Sequence, residues 1–225
     1  VLGGMGPEAT VDLMRRVIAA TPAADDSDHV HLIVDQNPKV PSRIKALIEG
    51  TGESPAPMLA AMTRRLIGAG AEVVAMPCNT AHGYLDTIRE AAGAVPVLDM
   101  VALTADRIAA MRPAPARVGL LASTAVRITG LYDRAFAARG IEAAFPRSQD
   151  AVMDAIRAVK RGDLGAEPRA AMRAAAAELA ADGADVQLIA CTELSALADA
   201  PPSEARMFDA MDVLAEAIVA FAADG

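Results

Sequence analysis

The chain holds two cysteines, and their matched contexts make them the first candidates for chemistry. Cys78 and Cys191 lie 113 residues apart, and so do the glycines Gly70 and Gly183 that precede them (191 − 78 = 183 − 70 = 113). A cysteine at the start of a helix has a lowered pKa, because free amides and the helix dipole stabilise the thiolate. A thiolate and a thiol on opposite sides of a carbon could remove a proton from one face and deliver one to the other, which inverts a stereocentre.

Short apolar runs alternate with longer helical patterns, and these runs predict the elements that position the cysteines. The predicted strands are Val30–Val34, Glu72–Met76, Val95–Leu98, Arg117–Leu121, Ile141–Ala144 and Val186–Ala190, with Val1 and Leu2 as the tail of another. The predicted helices are Pro7–Ala20, Ser42–Glu49, Pro57–Ala69, Gly83–Ala92, Val101–Met111, Thr124–Ala138, Gln149–Lys160, Pro168–Asp182 and Asp209–Ala223. This alternation predicts an α/β fold with mainly parallel sheets, in which ligands bind at the carboxyl ends of the strands.

The repeat around the cysteines predicts two related α/β halves, each with a thiol at the end of a strand. The first domain is predicted to cover residues 1–99 plus 205–225 and to carry Cys78, and the second to cover residues 100–204 and to carry Cys191. The second crossing is placed near Pro201–Pro202, because a proline pair stops a helix. We expect the two thiols to face each other across a cleft between the domains.

Three segments of the chain resemble the aspartate/glutamate racemase superfamily, and its aspartate racemase branch most closely. They are Leu2–Thr10, Met76–His82 and Cys191–Leu194, and the resemblance covers essentially the whole chain. It implies two Rossmann-like domains with mainly parallel sheets, related by a pseudo-two-fold axis. It also implies a cofactor-independent amino-acid racemase, usually a homodimer, with Cys78 and Cys191 as the two catalytic bases.

The resemblance extends to candidate substrate-binding residues. Asn37 and Arg43 resemble a family segment whose arginine grips the side-chain carboxylate of the substrate, and Lys160 resembles a lysine that assists it. An arginine fork suits a bidentate carboxylate, and a lysine adds a point charge. The remaining candidates supply amides or hydroxyls for the α-carboxylate or line the pocket wall, and they are Asn79, Thr80, Thr124, Thr192 and, in the wall, Met5.

The chain departs from the family pattern at two positions and leaves the substrate open. Ser42 stands where aspartate is common, and Ala190 stands where glycine is frequent. The second cysteine motif lacks the Cys-Thr-His of glutamate racemases, which favours aspartate as substrate. A broad-specificity or glutamate-acting racemase, a dicarboxylate isomerase or decarboxylase relative, and a binding protein without turnover remain alternatives.

Other residues receive simpler interpretations. His82 follows Cys78 by one helical turn, and a Cys–His pair would indicate a hydrolase, although local packing is the commoner role of such a histidine. The glycines of Gly3–Gly6 do not have the spacing of a dinucleotide-binding loop. The arginines Arg64, Arg65 and Arg161 are assigned to the surface, and Met58 and Met62 to the core.

Composition excludes several classes of partner. The 225 residues carry a net charge of −8, which argues against nucleic acid or an anionic membrane as partner, and the predicted partner is a small amino-acid substrate. Two cysteines are not a disulfide framework, and no zinc-like grouping with the three histidines is present, so no metal is predicted. The chain begins at Val1, and we expect a few residues to precede it. With no signal peptide visible, a cytoplasmic location is predicted.

Overall fold

A mixed α/β architecture follows from the alternating pattern, and the computed structural model of the chain, which describes residues 1–197 and 206–223, confirms it. The chain divides into two units, Val1–Leu103 with Met211–Gly225, and Thr104–Ala210. Pro201–Pro202, where a domain crossing was predicted, lies outside the described residues. No helix within the described ranges has the length and apolar composition needed to span a membrane.

The first unit contains short parallel pairings among helices. In chain order its elements are β1 (Leu2–Gly3), α1 (Pro7–Ala20), β2 (Asp35–Gln36), a π-helical turn (Lys45–Glu49), α2 (Ala56–Gly68), a 3-10 turn (Thr80–Tyr84) and α3 (Leu85–Ala92). Helix α4 (Met100–Ala109) runs across the boundary between the units. The core of this unit is a cluster of buried apolar side chains that includes Leu2, Leu59, Met62 and Ile88.

Three strands predicted for the first unit are wrong in extent. No strand forms over Val30–Val34. The paired residues are the two that follow, β2 (Asp35–Gln36), which pairs in parallel with β1. The segments Glu72–Met76 and Val95–Leu98 form only one parallel bridge, between Val74 and Val97. Their apolar residues mark buried extended chain, but a strand also needs a paired neighbour along its length, and here the paired stretches are one or two residues long.

The second unit is built on a four-stranded, all-parallel sheet in the order β4-β3-β5-β6. Its elements in chain order are β3 (Arg117–Ala122), α5 (Thr124–Thr129), α6 (Leu131–Ala137), β4 (Glu142–Ala144), α7 (Gln149–Lys160), α8 (Ala166–Ala181), β5 (Val186–Ala190), α9 (Thr192–Ser195) and β6 (Arg206–Asp209). Helix α10 (Ala210–Ala223) follows. The central strand β5 is buried along its whole length, as expected for a parallel strand covered on both faces.

Two expectations for the second unit are wrong. The single helix predicted over Thr124–Ala138 is the pair α5 and α6, because Gly130 between them is left-handed with φ 59°. The strand β6 was not predicted, since its four residues carry only two apolar side chains and run directly into α10. Strand β6 pairs in parallel with β5, Val186 opposite Arg206, and the predicted division of the chain into two domains stays a prediction.

The repeat found in the sequence is also a repeat of local structure. Gly70 and Gly183 have φ of +95° and +82°. After each glycine, an alanine N–H reaches back to the carbonyl of a buried leucine, Ala71 to Leu66 and Ala184 to Leu179, both at 3.0 Å. Helices α2 and α8 therefore end with the same hydrogen bond, and each is followed by a segment that leads to a cysteine.

Candidate active site

Cys78 follows the extended segment that contains Val74 and precedes the 3-10 turn at Thr80. Its side chain is buried at 6% exposure and packs in the apolar cluster of the first unit with Met76 and Ala81. The Cys78 N–H donates to the Met76 carbonyl at 2.9 Å. Apolar packing and a tight backbone turn therefore fix the position of this thiol.

His82 contacts the backbone of Cys78 rather than its thiol. Its Nε2 accepts a hydrogen bond from the Met100 N–H at 3.1 Å, so the proton is on Nδ1, which lies 2.9 Å from the Cys78 carbonyl oxygen. Burial lowers the pKa of His82, and the Cys78 carbonyl only partly offsets that effect. Both ring nitrogens are occupied by backbone groups, so this geometry does not support a Cys–His nucleophile pair.

The guanidinium of Arg43 binds backbone oxygens and has no acidic partner among the described residues. Its Nη2 donates to the Met5 carbonyl at 3.0 Å and its Nη1 to the Pro41 carbonyl at 3.3 Å. Its Nε is buried without a hydrogen bond. Burial raises the pKa of nearby Tyr84, and the Arg43 charge opposes that rise. A cation held in this way is suited to bind a carboxylate from outside the chain.

The glycine loop after β1 presents the Met5 carbonyl to Arg43. Gly4 has φ of +92°, and a Cβ there would lie 2.4 Å from the backbone of Asn37, so the position requires glycine. The Gly4 N–H donates to Thr10 Oγ1 at 2.8 Å. The Met5 side chain is buried in the apolar cluster, so its carbonyl is the group that meets Arg43.

The side chain of Asn37 is engaged within the protein. Its Oδ1 accepts a hydrogen bond from the Lys39 N–H at 3.0 Å. Its Nδ2 lies 3.4 Å from the sulfur of Met58 and 3.8 Å from that of Met62, the two methionines assigned to the core. In this structure Asn37 shapes the loop that approaches Gly4, and its contact with substrate stays a prediction.

In the second unit, Cys191 begins a chain of three polar groups. Strand β5 ends one residue before it, and helix α9 starts one residue after it. Its Sγ donates to Glu193 Oε2 at 3.2 Å, and Glu193 Oε1 lies 3.3 Å from Lys160 Nζ. Lys160 is the last residue of α7 and Glu193 lies in α9, so this contact joins α7 to α9.

The pKa of the Cys191 thiol is raised well above its ordinary value. Burial is the largest cause, the charge of Glu193 and its hydrogen bond add to the effect, and Lys160 opposes it. The expectation that a helix start would lower the pKa of this thiol is therefore wrong. Helix α9 is a single turn of four residues, and the loss of solvent together with an adjacent carboxylate outweighs its dipole.

The remaining candidate residues divide between the two units. Asn79 is buried and precedes the 3-10 turn in the first unit, and Thr80 is the first residue of that turn. In the second unit, Thr124 begins α5 with its N–H 3.2 Å from the sulfur of Met153, and Thr192 is the buried first residue of α9. Their contacts with substrate, like the catalytic roles of the cysteines, stay predictions.

Two residues were missed from the sequence. Glu193 could have been found, because a carboxylate two residues after a cysteine in the same turn can reach the thiol. Tyr84 gave no such signal, since only the fold brings it near Arg43. Across the described residues, no cluster of three or more His, Cys, Asp or Glu side chains is suited to hold a metal ion.

Comparison with known proteins identifies relatives over nearly the whole chain. The sequence profile of the Asp/Glu/hydantoin racemase family matches residues 2–218. The broad-specificity amino-acid racemase RacX of Bacillus subtilis (strain 168) is 29% identical over 234 residues, covering 97% of this chain and 95% of that protein.

Solved structures agree with this result. The aspartate racemase of Picrophilus torridus is similar with a TM-score of 0.83 and 29% identity, covering 98% of this chain and 92% of that chain. The glutamate racemase of Francisella tularensis, crystallised with D-glutamate, shares the fold at 14% identity with a TM-score of 0.68, covering 96% of this chain and 78% of that chain.

Proposed function

This chain belongs to the Asp/Glu/hydantoin racemase family and is a racemase of the PLP-independent kind, and from that premise we propose that its preferred substrate is aspartate. The second cysteine motif lacks the Cys-Thr-His of glutamate racemases, which favours aspartate over glutamate. The observation that best supports an acidic side chain in the substrate is the guanidinium of Arg43. It is held by two backbone carbonyls, its Nε is buried without a partner, and no described carboxylate forms an ion pair with it. A carboxylate in the substrate side chain would supply the missing anion.

The proposed reaction uses the two thiols as a general acid and a general base. One thiolate among Cys78 and Cys191 removes the α-proton of the amino acid, and the thiol of the other delivers a proton to the opposite face. The pair exchanges roles when the other enantiomer is the substrate. Backbone amides and hydroxyls beside the thiols, those of Asn79, Thr80, Thr124 and Thr192, are proposed to hold the α-carboxylate.

A racemase of broader specificity is the second candidate, because a broad-specificity enzyme is among the relatives at 29% identity. Rates measured with a panel of amino-acid substrates distinguish the two candidate functions. Purified, reduced protein is incubated separately with the L-enantiomers of aspartate, glutamate and several neutral amino acids, and the products are separated by chiral chromatography. We expect D-aspartate to form fastest, and comparable rates with neutral amino acids would favour the second candidate.

Replacement of Arg43 tests the proposed carboxylate site. Arg43→Met removes a charge-assisted hydrogen-bonding group worth about 1.5–3 kcal/mol, so kcat/KM for aspartate should fall about 10- to 100-fold. Turnover of an amino acid without a side-chain carboxylate should change much less. Arg64→Met is the matched control, because Arg64 is exposed on helix α2 and was assigned to the surface. Unchanged aspartate kinetics in Arg43→Met would remove this residue from the site.

The homodimer and the cytoplasmic location expected from the sequence also belong to this proposal. Light scattering of the purified protein measures the mass in solution and decides the first. Fractionation of the source cells decides the second.

A further inference from the structure

The thiol of Cys191, the carboxylate of Glu193 and the ammonium of Lys160 form a continuous chain within the second unit. The distances are 3.2 Å from Sγ to Oε2 and 3.3 Å from Oε1 to Nζ. The thiol is buried, the Glu193 side chain is 12% exposed, and the Lys160 side chain is 40% exposed. Glu193 is thus the link between a buried thiol and a half-exposed cation.

We propose that Glu193 is a positioning residue that keeps Cys191 in the thiol form, so that Cys191 begins the reaction as the proton donor. This inference rests on the proposed two-thiol mechanism. It also assigns a use to Lys160 that differs from the substrate contact expected from the sequence. Here Lys160 neutralises part of the Glu193 charge.

Electrostatics at this position favours the thiol over the thiolate. The S–H group donates to a carboxylate oxygen, whereas a thiolate there would face the same oxygen as a like charge with little water to screen it. Lys160 binds the other carboxylate oxygen and is partly exposed, so its compensation is incomplete. The raised pKa of Cys191, with burial as its largest cause and Glu193 next, agrees with this geometry.

The consequence for turnover can be written as a balanced step. When Cys191 acts as donor, the S–H bond breaks, the proton goes to the carbanion at the α-carbon, and the sulfur keeps the electron pair as a thiolate. That thiolate lies beside Glu193 and readily takes up a proton from water, which restores the thiol. In the opposite direction the Cys191 thiol must first release its proton to water, so Glu193 opposes the formation of the active base.

A titration without substrate tests the proposal. In the Cys78→Ser background Cys191 is the single thiol of the chain, so the ultraviolet absorbance of its thiolate can be followed against pH. Adding Glu193→Gln should move this titration to lower pH, and adding Lys160→Met should move it to higher pH. Glu142→Gln is the matched control, since it also removes one negative charge but lies at the start of β4, at the opposite end of the sheet from Cys191.

The outcomes separate this inference from the proposed function. If the Cys191 thiol titrates at the same pH in Glu193→Gln as in the Glu142→Gln control, with unchanged circular dichroism, Glu193 does not keep Cys191 protonated and the proposal fails. A downward shift in a protein that does not racemise aspartate would uphold the role of Glu193 and refute the substrate assignment. With both cysteines present, the pH profile of turnover should shift in Glu193→Gln and be restored in Glu193→Asp, which keeps the charge.

Discussion

At the scale of single residues, the environment decides what each titratable group can do. Cys78 and Cys191 have matching positions in the repeat, yet Cys78 lies in an apolar cluster and Cys191 donates to a carboxylate. His82 stands one turn from a cysteine, yet both of its ring nitrogens bind backbone groups. Residue type alone therefore did not determine the roles of these groups.

The buried His82 should make the stability of the first unit depend on pH. Its folded pKa lies below the usual value of about 6.5, so the unfolded chain binds a proton that the folded chain does not. The contribution of the neutral His82 to the free energy of unfolding is therefore fully present above about pH 6.5, and it decreases as the pH falls toward the folded pKa. Asp99 opposes this lowering and Arg89 adds to it, both as smaller effects than burial.

Urea denaturation at pH 7.5 and pH 5.5 measures this dependence. His82→Gln should be less stable at pH 7.5, by about 1–3 kcal/mol for each buried backbone group left unpaired, and should lose less stability on acidification than the wild type. His31→Gln replaces an exposed histidine and should behave like the wild type at both values. If His82→Gln loses as much stability between pH 7.5 and pH 5.5 as the wild type does, other groups cause that loss.

At the scale of elements, the loop after β1 positions the guanidinium of Arg43. The glycine loop passes so close to Asn37 that one position admits no Cβ. The Met5 carbonyl in the same loop binds Arg43, so the path of the loop and the place of the guanidinium are coupled. A distortion of the loop should therefore reach the proposed carboxylate site.

The variant Gly4→Ala tests that coupling. It introduces a Cβ 2.4 Å from the Asn37 backbone at a φ of +92°, and a strain of about 1–3 kcal/mol should lower both stability and aspartate turnover. Gly68→Ala is the matched control, because Gly68 ends helix α2 with open space around it, and alanine there should stabilise by roughly 0.5–1 kcal/mol. Equal melting temperatures for the two variants would contradict this account of the loop.

Helices with a strong apolar periodicity were predicted from the sequence. Strands whose formation depends on pairing with a neighbouring strand were missed. Helices α1 and α7 have the predicted bounds, since each combines an apolar stripe with a clear start or end. The strand β6 depends on its neighbour β5 rather than on its own composition, so its four residues gave no usable signal. The link from Cys191 to Lys160 through Glu193 joins two elements that only the tertiary fold brings together.

At the scale of the whole molecule, the sequence repeat was the most informative feature. An offset of 113 residues related glycine, leucine and cysteine, and the structure shows the same helix-ending hydrogen bond in both units. Motif resemblance predicted the family that the comparisons confirm. The pKa of Cys191 could not be predicted, because it depends on burial and on a carboxylate whose orientation the sequence does not specify.

In the reaction proposed for this chain, two thiols exchange the α-proton of aspartate. Proton NMR of L-aspartate in D₂O, followed by chiral chromatography, tests it with the reduced wild-type protein and with Cys78→Ser and Cys191→Ser. We predict loss of the α-proton signal together with appearance of D-aspartate for the wild type, and rates lower by at least about 10²–10⁴-fold in each variant, with unchanged circular dichroism. A cysteine variant that racemises aspartate at the wild-type rate would contradict the two-thiol mechanism.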